Sequence, residues 1–315
     1  MGIRFGVITD VHYNEGTASE LWGGVLSYLD TQYRQYSTAK DRLVSFLSDM
    51  EVEAVDFCVQ LGDIIDAGSD ERDSDISDAV YQYDTHYSGT TWNVLGNHES
   101  ERWSGSGANT DLSDYWTAMD TAANSGTRAN EWNPDGRGTA AYTFDYKQVR
   151  FVVLFAEGAN NDLHSQDEVE ELTWLSGTAL DTTLPVVVLT HASLTPENAT
   201  YPYGWVDNAA AVRTALEAAG NVQLVVNGHF HRNSIDDWTV PHQTINDILY
   251  LNLRGSVLGA GDGDSSDTAT VADSAHYLIE IIPNAVLGDT NPRANVEVTG
   301  YYKGKNKEPN KYIIG

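Results

Sequence analysis

Apolar, largely β-branched runs recur along the chain at 3–9, 55–61, 91–95, 151–155, 186–190 and 222–226, and each stops abruptly at polar residues or glycine. These runs predict strands. Between several of them the apolar spacing changes to that of a helix. Ala39, Leu43, Phe46, Leu47 and Met50 fall on one helical face after Ser37. Ser165-Gln166-Asp167-Glu168 forms a capping box ahead of a helix carrying Leu172 and Leu175. Asp207 is placed to cap a third helix, with Val212 and Leu216 on its face and Gly220 at its end. Strands that alternate with helices imply a largely parallel sheet, and further strands at 140–146, 248–253, 277–282 and 296–302 suggest a second one. A single domain over 1–315 is expected, with loop insertions near 66–90 and 100–138. The acid-rich stretch 66–84 reads as a solvated loop or helix face, with Asp66 a candidate to support the residues before it. The stretch 100–138 mixes Trp103, Trp116 and Trp132 with Gly, Ser and Asn and reads as an ordered loop region. A flexible Gly/Asp loop is expected at 259–267, and the basic tail 303–311 reads as a surface strand end.

The polar residues that end the runs carry the chemistry. They are Asp10-Val11-His12, Gly62-Asp63, Gly96-Asn97-His98-Glu99, His191 and Gly228-His229-Phe230-His231. In an α/β protein, ligands gather outside the carboxyl ends of parallel strands, which is where all five blocks sit. Two cations about 3.5 to 4 Å apart, clamping the oxygens of an in-line displacement at phosphorus, need nitrogen and oxygen ligands converging from several segments. A carboxylate that gives one oxygen to each ion is the natural bridge, and Asp63 is the candidate. Neutral imidazoles and a carboxamide complete such shells without repelling an anionic phosphate, and His12, Asn97, His191, His229 and His231 supply them. A lone Asp-x-His or Gly-Asp more often marks a strand-ending turn. Gly-Asn-His-Glu and Gly-His-Phe-His are more specific, because two imidazoles bracketing one residue after a glycine turn have few structural uses. His86, His164, His242 and His276 match no block and read as structural or surface residues.

As a set, from Asp10 to His231, the blocks resemble the calcineurin-like metallophosphoesterases. The resemblance implies a four-layered α/β/β/α sandwich with two mixed sheets. It implies two divalent metal ions, the first held by Asp10, His12, Asp63 and His231 and the second by Asp63, Asn97, His191 and His229. It also implies that His98 is not a ligand but assists the leaving oxygen, with Glu99 positioning its ring. Within the superfamily, Tyr33-Arg34-Gln35-Tyr36 followed by Gln60-Leu61-Gly62-Asp63-Ile64-Ile65-Asp66 is similar to the manganese-dependent ADP-ribose/CDP-alcohol diphosphatases. The chain departs from that branch in carrying His12 where glutamine is common. Manganese is the metal this branch implies, and the mixed donor set also suits iron, zinc or nickel.

The expected activity is hydrolysis of a phosphodiester or pyrophosphate bond in a small phosphorylated, nucleotide-like substrate, by attack of a metal-bridging hydroxide. Phosphomonoesterase or cyclic-nucleotide phosphodiesterase activity on the same metal pair is a second reading, and a catalytically silent scaffold of the same fold a third. Tyr13, Trp22, Trp103 or Phe230 are candidates to stack on a base, against the alternative that each anchors core or loop.

Charge narrows the partners. The 315 residues hold 18 Lys and Arg against 46 Asp and Glu, a formal net charge of -28. No basic stripe exists to neutralise a nucleic-acid backbone, so long nucleic acid is not an expected partner. Acids spread along the whole chain fit a protein adapted to high salt better than one acidic face meeting a cationic partner. No apolar stretch is long enough to span a bilayer, and a soluble, cytoplasmic protein is expected. Cys58, the one cysteine, lies in an apolar run and reads as a small buried side chain.

Overall fold

The computed structural model describes residues 2–13, 38–65, 72–100, 112–120, 125–133, 139, 141–155, 168–195, 206, 208–229, 242–253, 255–256, 275–282, 295–302 and 310–314. Its strands fall into two mixed sheets flanked by helices. In the first, β1 (Ile3–Ile8), β2 (Phe57–Leu61) and β3 (Thr90–Val94) run parallel. Antiparallel β11 (Ala275–Ile282), β12 (Asn295–Tyr302) and β13 (Asn310–Ile314) extend that sheet beyond β1. In the second, β6 (Val149–Leu154), β7 (Val186–Thr190), β8 (Val222–Asn227) and β10 (Ile248–Asn252) are parallel. This second sheet is flanked by antiparallel β5 (Ala141–Tyr146) and β4 (Ala129–Trp132) on one side and β9 (His242–Ile245) on the other.

The division of strands differs from the expected main sheet plus a later one. The six apolar runs are shared equally between the sheets, and the chain returns to its first sheet only after β10. The three strands not anticipated, β4, β9 and β13, all lie at sheet edges. An edge strand needs fewer apolar side chains, and three of the four residues of β4 are exposed.

Aromatic rings fill the space between the sheets. Phe5 of β1 and Phe57 of β2 stack at 5.1 Å, and both meet Phe151 of β6 edge-on at 5.7 and 5.3 Å. Phe57 also packs edge-on against Phe144 of β5 at 5.7 Å. Register explains the alignment, since Phe5 pairs with Phe57 and Phe144 with Phe151, so each pair presents one face.

The other face of the first sheet is covered by α1 (Ala39–Glu53) and α2 (Arg72–His86). Gly6 of β1 lets α1 approach closely: a Cβ there would fall 2.5 Å from Met50 and 3.1 Å from Phe46. Within 66–90, the stretch expected as an insertion with a solvated loop or helix face, lies the helix α2. Its buried Ile76, Ala79, Val80 and Tyr83 form an apolar stripe, diluted in sequence by four interspersed aspartates. Within 100–138 likewise lie α4 (Leu112–Met119) and β4, while α3 (Asn97–Ser100) is a single turn after β3.

On the outer face of the second sheet, α5 (Glu168–Trp174) runs into a π turn at Leu175–Ala179, and α6 (Ala209–Ala219) packs beside it. Ser165 and Asp207 lie outside the described residues, and the N-cap position of α6 belongs to Asn208, one residue later than expected. Gly220 ends α6 in the left-handed conformation, as its position suggested. Cys58 is buried against Tyr87, and burial pushes its thiol well above the usual range. No helix among the described residues is long and apolar enough to cross a membrane.

Truncating Phe57, which touches both sheets, is expected to leave a cavity that cannot collapse. Phe57→Ala is predicted to destabilise the protein by about 3–5 kcal/mol, read from the midpoint of denaturant unfolding at unchanged slope.

Candidate metal centre

The carboxyl ends of β1, β2 and β3 meet those of β7, β8 and β10 along one rim, and hydrogen bonds between the turns join them there. Asp10 N–H donates to Gly62 O at 3.1 Å, His12 N–H to Asp63 O at 2.9 Å and Tyr13 N–H to Ile64 O at 2.6 Å. The turns after β1 and β2 therefore stay zipped together beyond the strands. Within the second sheet Gly228 N–H donates to His191 O at 3.0 Å, and across the sheets Ser256 N–H donates to Thr9 O at 2.8 Å.

Gly62 makes the junction possible. A Cβ on it would lie 2.4 Å from Nδ1 of His191 and 2.8 Å from Cα of Gly96, so turns from both sheets converge on the space a side chain would take.

Asp63 is at the centre. Its carboxylate is buried and one oxygen, Oδ1, accepts the main-chain N–H of His98 at 2.9 Å. The other, Oδ2, lies 3.2 Å from Nε2 of His191 and 3.8 Å from Nε2 of both His12 and His98. Burial disfavours this charge, yet the imidazoles of His191, His98 and His12 hold the carboxyl well below the usual range. Reciprocally, burial would keep His191 neutral, but the carboxylates of Asp63 and Asp10 outweigh it and push His191 up to about 10. A pair of buried carboxylates that captures protons on neighbouring imidazoles is a site that favours a cation.

The orientation of each donor is set by a second bond. His191 Nδ1 donates to Leu61 O at 2.7 Å, which turns Nε2 toward Asp63 and, at 2.9 Å, Nδ1 of His229. Asp10 Oδ2 accepts from the Thr9 hydroxyl at 2.7 Å and from His229 N–H at 3.0 Å. Oδ1 of Asp10 is turned toward His191, 3.9 Å away. The rings of His12 and His98 meet edge-on at 4.7 Å. Two groups emerge in which all the donor atoms lie within 4.8 Å of one another: Asp10, Asp63, His191 and His229, and His12, Asp63 and His98. Either could hold a divalent ion, and Asp63 belongs to both.

Of the residues expected at the site, Asp10, His12, Asp63, His98, His191 and His229 are thus brought together. Asn97 opens α3 between Gly96 and His98, both of which touch Asp63. His231, Asp66, Trp22, Trp103 and Phe230 lie outside the described residues. Tyr13, a candidate base-stacking residue, is instead buried with its hydroxyl on Asp78.

Glu99 is fully buried, and its carboxylate accepts four main-chain N–H bonds. Oε1 takes those of Ile64 and Ile65 at 2.8 and 3.3 Å, and Oε2 takes those of Asp63 and Gly96 at 2.8 and 2.6 Å. Burial and then the Asp63 charge raise its carboxyl to about 7, against the opposing pull of the Gly96 N–H, His191 and the Asp63 N–H. Thr9, the Leu61 carbonyl and Ser256, which donates from its hydroxyl to Asp10 O at 3.0 Å, support the ligands and were not anticipated. Thr9 alone left a trace in the sequence, as the polar residue closing the first apolar run.

Four of these residues, Asp10, His12, Asp63 and His229, hold positive φ angles of 55°, 49°, 54° and 71°. Non-glycine residues enter this region at a cost of about 1–2 kcal/mol each, eased for Asp and His. Such strain concentrated in one rim marks a place where side chains are aimed at a shared point.

A model of the calcineurin-like phosphoesterase family matches residues 3–233. The chain belongs to this family. As a calcineurin-like phosphoesterase it is a hydrolase of phosphoric esters, and the family's dinuclear metal site accords with the donor clusters described above. A dimetal phosphatase from Danio rerio has the same fold, at 19% identity over 98% of each chain and a TM-score of 0.59. A novel archaeal phosphodiesterase matches at 8% identity over 99% of this chain and 100% of that one, with a TM-score of 0.41. The NAD nucleotidase of Haemophilus influenzae matches at 10% identity over 100% of this calcineurin-like chain and 54% of its own, with a TM-score of 0.49. No curated protein matches.

Gly96 sits where a Cβ would strike Oδ1 of Asp63 at 2.2 Å. Gly96→Ala is therefore predicted to displace the central carboxylate and lower metal uptake by at least about tenfold in affinity, measured by titration calorimetry.

Proposed function

We propose that this phosphoesterase hydrolyses a phosphodiester or pyrophosphate bond in a small nucleotide-like molecule, with two manganese ions held by Asp10, His12, Asp63, Asn97, His191, His229 and His231. When bound, the two cations polarise the phosphoryl group and make water acidic enough to act as a nucleophile near neutral pH. The chain's own residues supply the rest. Asp63 belongs to both donor groups and, with His98 set apart for the leaving oxygen, the imidazoles of His12, His191 and His229 would complete the shells without adding negative charge.

The observation that carries the reading is the exposure of His98. Three imidazoles lie within 4 Å of the Asp63 carboxylate, and the side chains of His12 and His191 are 0% and 1% exposed against 11% for His98. His98 is the one that a substrate can reach. It is therefore assigned to the leaving oxygen, to which its ring delivers a proton.

The surface supports a small substrate and a saline setting. Arg4, Lys40, Arg128, Lys147 and Arg150 are each engaged by an acid, at 2.6 to 3.0 Å in the pairs with Glu53, Asp78, Asp120, Asp56 and Asp145. The local cations are thus neutralised, and the excess of acids is left to be screened by salt. A phosphate polymer would meet repulsion along its length, whereas a compact substrate meets only the site.

The test is a panel of ADP-ribose, CDP-choline, cyclic AMP, bis-p-nitrophenyl phosphate and p-nitrophenyl phosphate, with manganese, at low and molar potassium chloride. Cleavage of ADP-ribose or CDP-choline well above the monoester is expected, with the higher rate in molar salt. Preference for the monoester would remove the proposed bond type. His98→Ala is predicted to retain both metals and lose about 10²–10⁴-fold in turnover, whereas Asp63→Asn loses metal and activity together. Metal content measured beside kcat separates the two.

A further inference from the structure

The turn that carries Asp63 is gripped from behind by the side chain of Glu99. Three consecutive main-chain N–H groups, of Asp63, Ile64 and Ile65, converge on the carboxylate of Glu99 at 2.8, 2.8 and 3.3 Å. A fourth, of Gly96, reaches the same carboxylate at 2.6 Å and closes a capping interaction at the start of α3. The grip is reciprocal. Glu99, on the turn after β3, accepts the amides of the turn after β2, while Asp63, on the turn after β2, accepts the His98 amide of the turn after β3. The turn so held contains Gly62 at φ 95°, which glycine adopts freely, and Asp63 at φ 54°, which a residue with a side chain does not favour.

We infer that Glu99 is a positioning residue for the metal centre: its carboxylate clasps the turn after β2 to the turn after β3 and holds the Asp63 carboxylate at the point the two ions share. The inference rests on the hydrolase reading only in taking Asp63 as that shared ligand. It moves Glu99 from the leaving-group side of the chemistry to the metal side. Three buried N–H groups pointing one way form an anion-binding nest, and a carboxylate with two acceptor oxygens is matched to them in number and charge. Glutamine offers a single acceptor oxygen, and its NH2 group would face two of the four donors.

The experiment uses the full chain. Titration calorimetry with manganese is expected to show an affinity at least about tenfold weaker in Glu99→Gln than in the unaltered protein, with activity reduced more at limiting than at saturating metal. Glu99→Asp, which keeps the charge on a shorter arm, is expected to fall between them. The opposite split, unchanged metal affinity with a depressed kcat at saturating metal, is what a ring-positioning residue gives; it would overturn the clasp while leaving the hydrolase reading intact. A readout that needs neither variant nor turnover is amide exchange in the unaltered protein. The N–H groups of Asp63, Ile64 and Ile65 are expected to exchange as slowly as those of the central strands, and exchange at the rate of an open loop would overturn the clasp. An unaltered protein that takes up no manganese would remove the hydrolase reading instead, and the exchange rates would still decide the clasp.

Discussion

A carboxylate buried as deeply as Asp63 is tolerable only if donors and positive charge surround it, and most of the rim follows from that requirement. Its Oδ1 takes a main-chain N–H from His98, and its Oδ2 faces three imidazoles from two sheets. None of these neighbours comes from its own strand. The sheets must therefore meet at their carboxyl ends, with Gly62 and Gly96 vacating the space where the turns touch. A second buried carboxylate, Asp10, is held by the Thr9 hydroxyl and the His229 amide, so the site accumulates negative charge that imidazolium protons or metal cations must balance.

Holding such a constellation requires rigidity that the local backbone does not favour. Asp10, His12, Asp63 and His229 all occupy left-handed conformations, and the hydrogen bonds between the turns after β1 and β2 oppose relaxation of the first three. Behind them, the aromatic packing of Phe5, Phe57, Phe144 and Phe151 fixes the spacing of the two sheets and hence of the two halves of the site. Burial far from the rim and geometry at the rim are in this way one mechanical system. Fixed sheets make fixed strand ends, and fixed strand ends make ligand distances reproducible to the tolerance metal coordination demands.

The charge distribution adds a second level. Arg4, Lys40, Arg128, Lys147 and Arg150 are paired with acids across the surface, whereas the rim gathers neutral or protonatable imidazoles around two acids. Solvent and salt can attenuate the surface acids. At the centre, where side chains are buried, only bound cations or protons can do so, which separates what the surface does for solubility from what the site does for chemistry.

The residue types of the site were legible in the sequence because each ends an apolar run. Asp10, Asp63, His98, His191 and His229 could be named from type, order and position, and the parallel strands that carry them from β-branched runs. The α2 helix was obscured because its apolar stripe of Ile76, Ala79, Val80 and Tyr83 is interleaved with aspartates, and β4, β9 and β13 because edge strands carry little apolar signal. Which sheet each strand joins was decided by tertiary packing, since register and partner depend on segments far apart in the chain. The same holds for Glu99 and His191, whose bonds run to the amides of residues 63–65 and to the Leu61 carbonyl. Main-chain donors and acceptors are identical at nearly every residue, so no sequence records which of them a buried side chain will meet. The sequence alone determined the chemistry available; the meeting of two sheets at one rim decided how that chemistry is aimed.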